Sequence, residues 1–116
     1  MSENDRTDPH PLTVLTVLTT TDTEYKAEQL ARGAVTARVA ACAQINGPVT
    51  SVYRWDGAIE TAREWQLLLK TTAARYAALE AWLTEAHDYD TPEIIATPVV
   101  RAAPAYAEWV ARETAG

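Results

Sequence analysis

The chain has 116 residues, is 47% hydrophobic and carries a net charge of −6 at neutral pH. That length suits one domain with a real core, and a chain of this size gains stability from association because it buries only about two-thirds of its unfolded surface. The acidic balance argues against nucleic acid and against an anionic membrane as partners, since both call for clustered Lys and Arg. No apolar run approaches the roughly 20 residues of a membrane-spanning helix. Cys42 is the one cysteine, which leaves no intrachain disulfide and no zinc-finger pair, and suits a reducing, cytoplasmic compartment. Met1 to Asp5 is polar and acidic, unlike a signal peptide. Residues 1–11 lack apolar periodicity and are expected to form a flexible polar tail before a single domain over 12–116.

Leu12 to Thr19 is β-branched and apolar on both faces, the pattern of a buried central strand. Thr21 and Glu24 have capping-box spacing. Apolar residues at Ala27, Leu30, Ala31, Ala34 and Val35 then form one helical stripe, predicting a helix from about Thr23 to Val39. Cys42 to Trp55 reads as a strand with a bulge or bend at Asn46-Gly47-Pro48, because Pro lacks a ladder donor. Asp56-Gly57 is a tight-turn signal, and Ile59 to Thr72 is the returning strand, with Glu60 and Glu64 facing solvent. A second helix is expected over Ala73–His87, with Tyr76, Leu79, Leu83 and Ala86 on one face. A fourth strand follows over Glu93–Val100. Pro104 opens a last helix, with Tyr106, Trp109 and Val110 as its apolar side. The order β-α-β-β-α-β plus a C-terminal helix predicts an α+β, ferredoxin-like split β-α-β sandwich.

The two hairpin arms span ~40–45 Å if extended at ~3.3 Å per residue, whereas a domain of this length has a radius of gyration of about 13 Å. The long β2-β3 hairpin is therefore expected to overhang the domain, and its unpaired edges need a partner. Tyr53, Trp55 and Trp65 are candidate interface anchors.

Five ordered segments carry a family resemblance. Ala40-Ala41-Cys42-Ala43-Gln44-Ile45 resembles the AAC-x-x-I motif of the CutA, or divalent-cation tolerance, family. Ser51-Val52-Tyr53-Arg54-Trp55-Asp56-Gly57 resembles its hairpin motif, and Leu69-Lys70-Thr71 its L-K-T strand. His87 to Ile95 resembles its H-x-Y-x-x-P-E-I-I segment, and Tyr106 to Trp109 its closing Y-x-x-W. The resemblance covers about Leu12 to Thr114. It implies a homotrimer whose hairpins pair between subunits, and a part in tolerance of divalent cations, with copper or another divalent cation as the bound metal. It also implies kinship with PII-like regulatory trimers, which bind small ligands between subunits. This chain has Thr19 where some relatives have a second cysteine, and Ala86-His87 where some have two histidines.

The residues offer two kinds of site. Cys42 supplies a soft thiolate and His87 an imidazole; with Glu93, and with Asp88 and Asp90 nearby, they are the candidate metal ligands. The plainer reading makes Cys42 a small buried hydrophobe and His87 a helix-end cap. Lys70 is a charge in an apolar strand. With Tyr53, Trp55, Tyr106 and Trp109 it is a candidate ligand cleft for a small anion; otherwise its side chain simply snorkels outward. No nucleophile has a base and an oxyanion donor in recognisable spacing, and no phosphate loop or H-E-x-x-H is present, so no enzyme is expected.

Overall fold

The computed structural model describes residues 8–116; the first seven residues of the expected tail lie outside the described residues. The end of that segment is docked rather than loose. Ala74 N–H donates to the Pro11 carbonyl, Thr13 N–H to His10, and Leu12 N–H to His10 Nδ1 at 3.0 Å.

The elements are β1 (Val14–Thr21), α1 (Glu24–Thr36), β2 (Cys42–Trp55), β3 (Ala58–Thr72), α2 (Tyr76–Ala86), β4 (Ile95–Pro98) and α3 (Pro104–Glu113), with a 3₁₀ turn at Ala73–Arg75 before α2. The sheet order is β2-β3-β1-β4, antiparallel throughout. Each β-α-β unit is thus split by a strand of the other, which is the predicted ferredoxin-like α+β fold. Central β1 is buried on both faces, as expected. Leu15 and Val17 join Leu67 and Leu69 of β3, Leu30 and Ala34 of α1, and Leu79 and Leu83 of α2 in the main core. Val14, facing the other way, packs with Ala41 and Val110 under α3.

Three local details differ from the sequence reading. The hydroxyl that caps α1 belongs to Thr23, which accepts from Lys26 N–H at 3.0 Å; position three of the helix is Lys26, so there is no reciprocal carboxylate and no capping box. The helix also stops at Thr36 rather than Val39. Arg38 adopts φ 61°, and Arg38 and Val39 N–H groups donate back to Val35 and Ala34, the paired closure usually made by glycine. A left-handed arginine costs about 1–2 kcal/mol. Its guanidinium offsets part of that by donating to the Arg112 carbonyl at the end of α3, at 3.3 Å. The last strand, Ile95–Pro98, is shorter at both ends than the expected Glu93–Val100, although Val99 N–H still donates to the Val14 carbonyl just beyond Pro98.

The hairpin overhangs as predicted. β1 reaches along β3 only to Trp65; beyond it, Val49–Trp55 and Ala58–Glu64 pair with each other alone. The radius of gyration, 15.1 Å, exceeds the about 13 Å of a compact chain of this length. The register shifts between Asn46 and Val49 at a cis Gly47–Pro48 bond, where the bulge was expected. A Cβ on Gly47 would sit 2.8 Å from Trp65 Cδ1, so the indole lies directly over the bend. Asp56 (φ 50°) and Gly57 (φ 80°) form the two-residue turn, both left-handed as the twist of a tight hairpin requires.

Candidate binding site

The candidate metal ligands do not meet in one protomer. Cys42 opens β2 as a free, half-buried thiol, with Sγ 3.6 Å from the Tyr106 hydroxyl of α3. His87 ends α2, and both of its ring nitrogens are used. Nε2 lies 2.9 Å from the Thr20 carbonyl, and Nδ1 accepts from Tyr89 N–H at 3.1 Å. A nitrogen that accepts a backbone N–H is unprotonated, so the proton sits on Nε2 and is donated to Thr20. No lone pair remains for a metal; the imidazole instead ties the end of α2 to the end of β1. Asp88 pairs with Lys26 at 3.1 Å. Among the described residues no three His, Cys, Asp or Glu side chains converge on one ion. The residues of a single protomer therefore do not fit a metal centre built from Cys42, His87 and Glu93.

The five cleft candidates also separate. Lys70 is the cross-strand partner of Cys42 and bonds the Gln44 amide oxygen at 3.3 Å. Tyr106 lies over that end of the sheet, its ring 5.7 Å from Trp109. Tyr53 and Trp55 lie beyond the bulge and line a different space, a cavity of about 500 Å³ shared with Glu64, Tyr89, Asp90 and Glu93. Glu64, expected in solvent, accepts from the Tyr89 hydroxyl at 2.8 Å. Burial first, then the Glu64 carboxylate, pushes the Tyr89 phenol well above its ordinary range. This contact was missed because nothing local links positions 25 residues apart. The turn does hold the signal: counting back from Asp56-Gly57 places Glu64 on the same ribbon face as Tyr53.

Two further phenols set a pH dependence. Burial, then Glu80, pushes Tyr76 up to about 12; burial, then Cys42, pushes Tyr106 up to about 12. Both are raised above an unfolded value near 10, so folding favours the neutral phenol. Their contribution is complete below pH ~10 and is lost as pH rises from ~10 to ~12. Chemical unfolding midpoints should therefore hold up to pH ~10 and fall above it, with the fall shallower in Tyr76→Phe and in Tyr106→Phe. An equally steep fall in both variants would refute this assignment.

Comparison with known proteins fits this arrangement. Residues 15–113 match the family model described as CutA1 divalent ion tolerance protein. The divalent-cation tolerance protein CutA of Thermus thermophilus is 36% identical over 98 residues, covering 84% of this chain and 95% of that protein. Protein CutA of Mus musculus is 35% identical over 104 residues, 90% of this chain. The chain spans 59% of that mouse protein and 56% of a Xenopus laevis homologue. The crystal structure of CutA from Xylella fastidiosa superposes with a TM-score of 0.86 at 37% identity, covering 88% of this chain and 98% of the other. With nearly the whole folded region matched in both sequence and structure, this chain belongs to the CutA1 divalent ion tolerance protein family.

Proposed function

We propose that this protein acts in divalent-cation tolerance as a cytoplasmic homotrimer that binds rather than catalyses. The observation that carries the reading is the two-stranded overhang. Val52, Trp55 and Ile59 are 66%, 61% and 61% exposed there beside open strand edges, and such a ribbon calls for pairing with another copy. The family resemblance supplies the number three, and the free Cys42 suits the reducing compartment. Sedimentation equilibrium is expected to report three times the 12.7 kDa chain mass. A stable monomer at micromolar concentration would sink the proposal.

Copper is the cation to test first. Any uptake is expected to depend on Cys42, the one thiol of the chain, and to survive His87→Ala. The effect of His87→Ala is instead a stability loss of about 1–2 kcal/mol from its two broken hydrogen bonds. Titration calorimetry of the parent, Cys42→Ser and His87→Ala decides this; uptake abolished in a folded His87→Ala variant would restore the imidazole as a ligand. One observation favours a second reading, a PII-like trimer holding a small anion between subunits. Lys70 is half-buried beside Cys42 on the α3 side of the sheet and bonds a neutral amide, with no carboxylate paired to it among the described residues. Phosphate binding lost in Lys70→Ala would support it.

A further inference from the structure

The cavity beside the hairpin is built for a different ligand from the one Lys70 offers. Its walls include three aromatic rings, Tyr53, Trp55 and Tyr89, and three carboxylates, Glu64, Asp90 and Glu93, with no Lys, Arg or His among the described lining residues. The hairpin register deepens that asymmetry. Residues directly opposite or two apart share a face, so the Tyr53–Glu60 and Val49–Glu64 pairs put both glutamates on the aromatic side. The Thr50–Arg63 and Arg54–Ile59 pairs put both arginines on the other. The ribbon thus sorts its charge by face, acidic toward the cavity and basic away from it. The Tyr89 phenol is raised first by its burial and then by the neighbouring Glu64 and Asp22 carboxylates.

A bare metal ion does not match this space. Among the described residues no three acidic, His or Cys side chains come close enough together to hold one. The volume of about 500 Å³ lies in the range of small-molecule sites, about 300–1,000 Å³. Carboxylates spread around aromatic faces suit a cation too large for coordination, held over the rings by their negative faces and neutralised at the rim. We propose that this cavity binds a compact organic ammonium ion, with Trp55 and Tyr53 as the cation–π walls and Asp90 and Glu93 as the counter-charges.

The site is distinct from Cys42 and Lys70, so the proposal stands or falls apart from metal or anion binding there. The test titrates the full-length native protein with choline and with butylammonium, and with dimethylbutanol as the uncharged isostere of choline. At least one cation is expected to bind while dimethylbutanol does not, and binding should weaken with salt. Trp55→Leu is expected to weaken it about tenfold, whereas Trp55→Phe, which keeps a ring, should recover most of the loss. Asp90→Asn and Glu93→Gln should each weaken it several-fold. Trp55 is 61% exposed in the protomer, so these variants keep the core intact. Because it also lies on the ribbon proposed to pair with another copy, circular dichroism checks the fold and sedimentation equilibrium checks that each variant assembles like the parent. Binding of neither cation at tens of millimolar, equal binding of dimethylbutanol, or binding that survives Trp55→Leu in folded protein overturns the proposal.

Discussion

Leu69→Ala is expected to lower unfolding stability by about 3–5 kcal/mol, near the top of the range for a buried leucine. Leu69 is fully buried and lies between Val17 of β1 and Ala43 of β2, laddered to both. A strand pinned by hydrogen bonds on both edges cannot slide to fill the space left by three methyl and methine carbons. The loss therefore includes the cavity as well as the transfer energy. Leu79→Ala removes the same atoms from an equally buried site, but on α2, which rides on top of the sheet and can settle toward it. Its expected cost is smaller, about 2–3 kcal/mol. Urea unfolding followed by tryptophan fluorescence checks the pair. Protein concentration must be held constant, because association would add to apparent stability. Equal costs, or a larger cost at Leu79, would show that ladder restraint does not govern relaxation in this core.

Gly33→Ala should destabilise the protein by about 1–3 kcal/mol, against the usual direction. In an exposed helix the change would gain about 1 kcal/mol, since alanine loses less backbone entropy than glycine. Here the added Cβ would stand 2.5 Å from Cζ2 and 2.6 Å from Cη2 of Trp82. That ring packs against the main core, so it cannot swing clear without opening a void, and overpacking of this kind costs about 1–3 kcal/mol beyond the helix gain. The double-mutant cycle makes the argument sharp. In a Trp82→Leu background the ring is gone, and the same Gly33→Ala change should become stabilising by about 1 kcal/mol. A Gly33→Ala effect of the same sign in both backgrounds would show that the indole is not what keeps glycine there.

Much of this fold is legible in the chain because its signals are local. Two-faced apolar character marked β1 as central, and the 3.6-residue stripes of α1 and α2 chose the faces that now bury Leu30, Leu79 and Leu83. Asp56-Gly57 and Asn46-Gly47-Pro48 placed the turn and the bulge, since each depends on backbone freedom or a missing donor at a named residue. Helix ends were less legible. Arg38 terminates α1 in a conformation that glycine normally takes, and what holds it there is a carbonyl 74 residues away on α3.

The candidate sites divide the same way. Residue types, and the family they resemble, were readable directly: a lone thiol, an imidazole at a helix end, a lysine in an apolar strand, aromatics along a ribbon. Which of them share a space was decided only by tertiary structure. Cys42 lies beside Lys70 and Tyr106, away from His87 and Glu93, and His87 spends both nitrogens on Thr20 and Tyr89. Tyr53 and Trp55 face Glu64, Tyr89 and Asp90 rather than Lys70, because the bulge and the overhang carry the distal ribbon away from the lysine. Periodicity and turn chemistry are properties of a few consecutive residues, so the sequence alone determines them. The company a side chain keeps depends on strand order, register and bends summed over the whole chain, and those become visible only when the sheet is assembled.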